Sequence, residues 1–130
     1  MNRDAELLLC DGREDVYRVL AQAAEALGFR LRSTAPRAAP EGDTVIWGEW
    51  SNRSTHIPVV DEVSYQVQLW TGDLDRLREL CAGVNRAMLG LGLRRIYSSP
   101  DAFDETGTGC YTKTFRFGRR VDKRTMRLID

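Results

Sequence analysis

The chain has one histidine, His56, and three widely spaced cysteines, Cys10, Cys81 and Cys110, with no CxxC pair among them. Imidazole and thiolate ligands at the spacing of a zinc site are therefore missing, and we expect no metal. No glycine run is followed by Lys-Ser or Lys-Thr, so a phosphate loop is missing too and we expect no cofactor. We interpret the cysteines as reduced thiols of a reducing compartment.

Catalytic residue sets are equally scarce. A serine or cysteine nucleophile needs a base within hydrogen-bond reach, and only His56 could supply an imidazole for Cys81, Cys110 or a serine. Both cysteines occupy predicted packing positions, one on the apolar stripe of a helix and one at the start of a strand. Paired carboxylates fall in predicted turns or at a helix start, where the helix dipole favours acids. The sequence therefore predicts a protein that is not an enzyme.

Net charge is absent as well, because 19 basic residues balance 19 acidic ones. The whole chain thus gives no electrostatic argument for a nucleic acid or an anionic membrane. No apolar run approaches the roughly 20 residues of a membrane span, so we expect a cytoplasmic protein without membrane contact. The charge is unevenly placed, however. Residues 111–130 contain seven basic and two acidic residues, a net +5, which leaves −5 on residues 1–110.

Two amphipathic helices are the clearest features that are present. Apolar residues recur at helical spacing from Gly12 to Leu27, and Gly28 ends this helix. A second helix follows Asp73, which can cap its free amides, and ends at the glycines of positions 90 and 92. Gly83 lies inside the second helix, where glycine is unfavourable, and this predicts a close backbone approach.

Four strands are predicted at residues 44–50, 62–70, 93–97 and 110–117. The order is α-β-β-α-β-β, and a chain of 130 residues with 42% apolar side chains suits one domain. We therefore predict an α+β fold with an antiparallel four-stranded sheet and both helices on one face. The predicted domain covers residues 1–117, and residues 118–130 form a basic C-terminal arm.

Candidate interface residues follow from strand alternation and from the basic end. In the strand at 62–70, one face is apolar and the other carries Gln66, Gln68 and Trp70. Trp70 and either Trp47 or Trp50 must then lie off the main core face, and tryptophan and arginine are enriched at interface hot spots. The residues expected at a subunit or partner interface are Trp50, Gln66, Gln68, Trp70, Arg119, Arg120, Arg124 and Arg127.

The region from Glu62 to Phe117 contains several short motifs in a fixed order. A strand ends in Gln66-Val67-Gln68-Leu69-Trp70, and the helix after it ends in Met88-Leu89-Gly90-Leu91-Gly92. An acidic turn, Asp104-Glu105-Thr106-Gly107, then leads into a strand with Tyr111, Lys113 and Arg116-Phe117. In order and spacing this region, a little under half of the chain, resembles the small tail-completion or tail-terminator proteins of long-tailed bacteriophages.

The resemblance implies a structural virion protein that forms a ring, six copies in the family, at the head-proximal end of a tail. Such a ring caps the tail-tube protein and joins the tube to a neck or head-completion protein. It implies assembly in the host cytoplasm. It also implies a lumen through which DNA passes and in which the ring can contact that DNA non-specifically. The arm at 118–130 would then contact a neighbouring subunit, although the same charge suits a solvated tail or a contact with nucleic acid.

Three alternatives remain open from the sequence. The chain could be a small nucleic-acid-binding regulator that uses its basic C-terminal segment, since seven cations can neutralise phosphates. It could be another neck or tail-tube protein of similar fold. An enzyme built around His56 is the third alternative.

Overall fold

The computed structural model describes residues 13–33, 42–104, 109–122, 124 and 127–129. This part of the chain contains two helices and seven strands. The helices are α1, Arg13–Leu27, and α2, Leu74–Gly90. The strands are β1, Arg30–Arg32; β2, Thr44–Ser54; β3, Val60–Thr71; β4, Arg94–Ser98; β5, Ala102–Phe103; β6, Tyr111–Asp122; and β7, Arg127–Ile129.

The predicted α+β class is confirmed, but the sheet differs from the expected antiparallel four-stranded one. It is mixed and has seven strands, because β1 pairs in parallel with β2 while the other pairs are antiparallel. The three additional strands have three, two and three residues. Segments this short are below the length at which alternation of polar and apolar residues distinguishes a strand from a loop.

Strands β3 and β6 form the centre of the sheet, whose order is β1-β2-β3-β6-β4. They pair over their full length, from Val60 opposite Asp122 to Thr71 opposite Tyr111. Along the other side of β6, the short strands β5, β4 and β7 pair with successive segments of the same strand. One long strand therefore joins the short strands to the rest of the sheet.

The boundary between domain and arm lies further along the chain than residue 117. Gly118 to Asp122 continue strand β6 and pair with β3, and β7 returns to pair with residues 120–122. Gly118 signals a strand break in the sequence, but here it is buried inside the strand. A Cβ at this position would meet the Val63 carbonyl oxygen at 3.2 Å and Ile96 Cδ1 at 3.3 Å. Crowding, rather than a turn, explains this glycine.

Both helices pack on the same face of the sheet, as predicted. Their buried residues form one core cluster with apolar residues of β2, β3 and β6; its members include Val16, Leu20, Val45, Val63, Tyr65, Val67, Leu69, Leu77, Leu80, Val84, Met88, Phe115 and Phe117. The helices do approach closely at Gly83, but through a side chain, because a Cβ there would clash with Leu27 Cδ1 of α1. Within the described residues, neither helix combines the length and apolarity needed to cross a bilayer.

Arg76 ties the two helices to the start of β2. Its Nε lies 2.6 Å from Asp43 Oδ2, its Nη1 lies 2.9 Å from Glu79 Oε2, and its Nη2 donates to the Leu27 carbonyl at the end of α1. Thr71 Oγ1 donates to the other oxygen of Asp43 at 2.6 Å. Hydrogen bonds to Asp43 and Glu79 raise the pKa of Arg76, so this connection stays charged over the working pH range.

Candidate functional site: the open face of the sheet

The sheet has a second face, opposite the helices, which we call the open face. Residues of β3 and β6 alternate between the two faces, so that Gln66 and Arg116 lie side by side on the open one. The described helices both pack on the other face. The outward side chains here are mostly polar or half-buried; from β3 they are Glu62, Ser64, Gln66, Gln68 and Trp70. This is the surface on which described side chains are available to a partner.

Two β-bulges add apolar residues to the open face. In β2 the register shifts between Glu49 and Ser51, which gives Trp50 an extra place in the strand. In β4 the register shifts between Arg95 and Tyr97, which does the same for Ile96. A bulge breaks the alternation and re-aims a side chain. Trp50 and Ile96 are consequently 53% and 59% exposed, unusually high values for large apolar residues.

Arg116 lies between two aromatic rings at the centre of this face. Its guanidinium carbon is 3.9 Å from the centroid of Trp50 and 4.6 Å from the centroid of Tyr97. Its Nε donates to Gln66 Oε1 at 3.0 Å, which fixes the plane of the guanidinium. Cation–π contacts of this kind contribute about 0.5–1 kcal/mol at exposed sites. We call this arrangement the Trp50–Arg116–Tyr97 stack.

Beside the stack lies a groove of about 470 Å³, whose lining includes Ser51, Arg53, Glu62, Ser64, Arg94 and Arg120. Its floor is made of small residues, because Ser51 pairs with Ser64 and Ser64 pairs with Gly118 across neighbouring strands. The two serine hydroxyls lie 2.6 Å apart. Glu62 lies 2.9 Å from Arg53 and 3.8 Å from Arg120. Arginines therefore outnumber carboxylates around the groove.

Five of the residues expected at an interface lie together on the open face. Trp50 belongs to the stack, Arg120 borders the groove, and Gln66 holds Arg116. Gln68 accepts a hydrogen bond from Trp70 Nε1 at 3.0 Å, so these two form a pair further along β3. Trp47 lies on the other face, where its ring centroid is 6.1 Å from that of Tyr17 on α1. The prediction that Trp70 and one of the two β2 tryptophans lie off the core face is confirmed.

The other three expected residues differ from these five. The Arg119 side chain is on the helix-covered face, where its Nη1 donates to the Leu91 carbonyl at 3.1 Å beyond the end of α2, although Arg119 also belongs to the lining of the groove. Arg124 is exposed and bonds to Asp122, which raises the pKa of Arg124. Arg127 pairs through its backbone in β7, and its side chain is outside the described atoms. Arg119 differs from Arg120 because consecutive strand residues point to opposite faces.

Sequence reasoning missed four residues of the open face: Arg53, Arg94, Tyr97 and Arg116. A signal was present for Arg116, since it continues a polar alternation with Thr112 and Thr114. For Tyr97 the signal was hidden, because the bulge at Ile96 changes which residues of β4 share a face.

The residues considered for catalysis are dispersed. His56 lies in the turn between β2 and β3, at the Val60 end of the sheet, and Cys110 precedes β6 at the Thr71 end. Cys81 lies on α2, where burial raises its thiol pKa to about 11 and keeps it protonated near neutral pH. Cys10 is outside the described residues. Within the described residues no group of three or more His, Cys, Asp or Glu side chains could hold a metal ion.

Comparison with known proteins finds no family model that matches the chain, and no curated sequence matches it significantly. Functional inference therefore depends on the sequence motifs and on the open face itself.

Proposed function

We propose that this chain is a structural protein of a long-tailed bacteriophage, a tail terminator that assembles into a ring at the head-proximal end of the tail. It caps the tail-tube polymer and offers the surface on which the neck docks. The family assignment rests on the motifs between Glu62 and Phe117. The open face supports the second part of the proposal, which is that the chain acts by contacting proteins.

The Trp50–Arg116–Tyr97 stack is the observation that carries the protein-contact role. Tryptophan, tyrosine and arginine are the residue types most enriched at interface hot spots. Trp50 and Tyr97 are 53% and 42% exposed, yet the guanidinium and Gln66 hold them in a fixed arrangement. A rigid, exposed, amphipathic surface loses little conformational entropy when a partner covers it. These properties favour binding to another protein.

The layered architecture supports a ring. A head-to-tail ring needs two different surfaces on each subunit and a rotation that closes. The described domain has one face covered by helices and one open face, so its two sides differ in chemistry.

Analytical ultracentrifugation over a range of concentrations, with and without a tail-tube protein, tests the proposal. We expect the wild-type chain to form a closed oligomer, alone or on its tube partner. Trp50→Ala should weaken association by roughly tenfold or more, as hot-spot truncations do. Leu89→Ala removes an exposed apolar side chain from α2 on the other side of the domain and is the matched control. We expect it to change association by less than about twofold.

A strictly monomeric chain at every concentration, also with the tube protein present, would overturn the proposal. Negative-stain electron microscopy separates it from its nearest rival. A terminator gives rings of fixed diameter and height, whereas a tail-tube protein of similar fold polymerises into tubes of variable length.

A further inference from the structure

We infer that the groove of the open face binds the backbone of single-stranded nucleic acid, with its arginines on the phosphates. This inference goes beyond the structural role proposed above and uses the groove together with the side of the stack that borders it. It depends on how three successive rows of residues cross the strands of the sheet.

The middle row is the floor of the groove. Register places Ser51, Ser64, Gly118 and Arg94 side by side on β2, β3, β6 and β4. Four strands spaced about 4.8 Å apart make this row about 15 Å long. Its first three residues are small, and Gly118 cannot be enlarged without meeting the Val63 carbonyl and Ile96. The floor is therefore a shallow trench across the strands with an arginine at one end.

The two neighbouring rows flank the floor. One row forms a charged wall of the groove and consists of Arg53, Glu62 and Arg120, which lie opposite one another on β2, β3 and β6. The row on the other side contains Gln66, Arg116 and Tyr97, with Trp50 in contact with Arg116, and it lies next to the groove lining rather than in it. The floor of hydroxyl groups and glycine therefore has a charged wall on one side and, on the other, an adjacent row with aromatic rings that we call the aromatic wall.

Charge in the groove is not balanced. Glu62 is shared between Arg53 and Arg120, at 2.9 Å and 3.8 Å. Among the described residues, Arg94 has no carboxylate partner within ion-pair distance, although it lines the same groove. The lining contains four arginines, of which Arg53, Arg94 and Arg120 project from the open face, against the one carboxylate of Glu62 among the described lining residues, and this excess favours an anionic ligand. Arginine matches phosphate oxygens with two parallel hydrogen bonds.

The aromatic wall favours a nucleic acid strand over an acidic protein segment. Proteins that bind single strands combine a basic groove along the backbone with aromatic side chains on which bases stack. Trp50 and Tyr97 border the groove through their chain neighbours Ser51 and Ile96, which line it. An acidic peptide would use the arginines but would leave these exposed ring surfaces without a matching group.

Fluorescence anisotropy with a labelled oligothymidine and the full-length chain tests the inference. We expect binding that weakens with salt, with a slope of log K against log salt of about −0.7 for each phosphate contact. Arg94→Gln and Arg120→Gln should each weaken binding about fivefold at 0.1 M salt and reduce that slope by about 0.7. Glu62→Gln should strengthen binding, because it removes the one carboxylate found among the described residues that line the groove.

Arg78→Gln and Arg86→Gln are the matched controls, because both remove an exposed arginine from α2 on the other side of the sheet. They should leave affinity within about twofold. Circular dichroism melts should show every variant folded, and Arg94→Lys, which keeps the charge, should retain most of the affinity.

Absence of oligothymidine binding at low salt, or an equal loss in the α2 controls, would overturn the inference. So would binding of polyaspartate that Arg94→Gln abolishes, without any binding of oligothymidine, since the ligand would then be an acidic protein segment. Assembly is measured separately without oligonucleotide. Ring formation without oligothymidine binding would overturn only this inference. Oligothymidine binding by a chain that stays monomeric would overturn only the proposed ring-forming function.

Discussion

The two faces of strand β3 show how one short segment meets two different demands. On the covered face, Val63, Tyr65, Val67 and Leu69 are fully buried beneath the helices. On the open face, Gln66, Gln68 and Trp70 remain partly exposed and interact mainly with one another and with Arg116. The covered face supplies most of the apolar burial that stabilises the fold, and the open face is the surface that we propose for binding. Substitutions on the two faces should therefore have different consequences.

The largest expected effect is on the covered face. Phe117→Ala removes a fully buried ring from the core and should lower the free energy of unfolding by about 3–5 kcal/mol, measured by urea denaturation. Thr114→Ala is its partner on the open face of the same strand, and it should cost less than about 1 kcal/mol. Equal costs would mean that the open face is also part of the core.

A smaller loss of stability is expected next to Arg119, the arginine of β6 whose side chain lies on the covered face. A Cβ on Gly92, whose φ is +81°, would clash with Arg119 Nη1. Gly92→Ala should therefore add loss of the Arg119–Leu91 hydrogen bond to backbone strain and cost about 2–3 kcal/mol by thermal or urea denaturation. Gly109→Ala is the control, since Gly109 also has a positive φ, +68°, but no described atom lies close to where its Cβ would be. It should cost about 1 kcal/mol, and an equal loss in both variants would remove Arg119 from the explanation.

The smallest effect is expected within the stack. In a double-mutant cycle of Trp50→Ala and Arg116→Ala, the coupling free energy in urea denaturation should be about 0.5–1 kcal/mol. Each single variant should remain folded, because both side chains lie on the open face. A coupling free energy of zero would show that the ring and the guanidinium contribute independently to stability.

Local patterns in the sequence predicted much of the fold. The apolar stripes of α1 and α2 and the alternation in β3 depend on neighbouring residues, so they can be read without knowledge of the sheet. Gly83 is unfavourable inside a helix, and its contact with Leu27 supplies the reason that the sequence could only indicate. On the same grounds Gln66, Gln68 and Trp70 were placed on one surface.

Features that depend on register could not be predicted from neighbours along the chain. The two bulges change the alternation of β2 and β4, and they decide that Trp50 and Tyr97 enclose Arg116. Residues 118–122 were assigned to an arm because residues 118–130 lack a clear apolar period, whereas Gly118 lies inside β6. Because its crowding comes from Val63 on β3 and Ile96 on β4, the reason for this glycine is tertiary. Because both residues were assigned to the arm, Arg119 and Arg120 were expected at the same interface, whereas their side chains point to opposite faces of the sheet.

The bulges at Trp50 and Ile96 also bear on how this surface can change between related chains. Each of these residues occupies a surplus position, since the residues before and after it keep their own cross-strand partners. Loss of the single codon for Trp50 would leave Glu49 opposite Tyr65 and Ser51 opposite Ser64. The exposed apolar residues at the two bulges could thus be gained or lost by one-codon insertions and deletions. The cross-strand register of the rest of the sheet would stay the same. Related chains could change the chemistry of this surface in this way and keep the same fold.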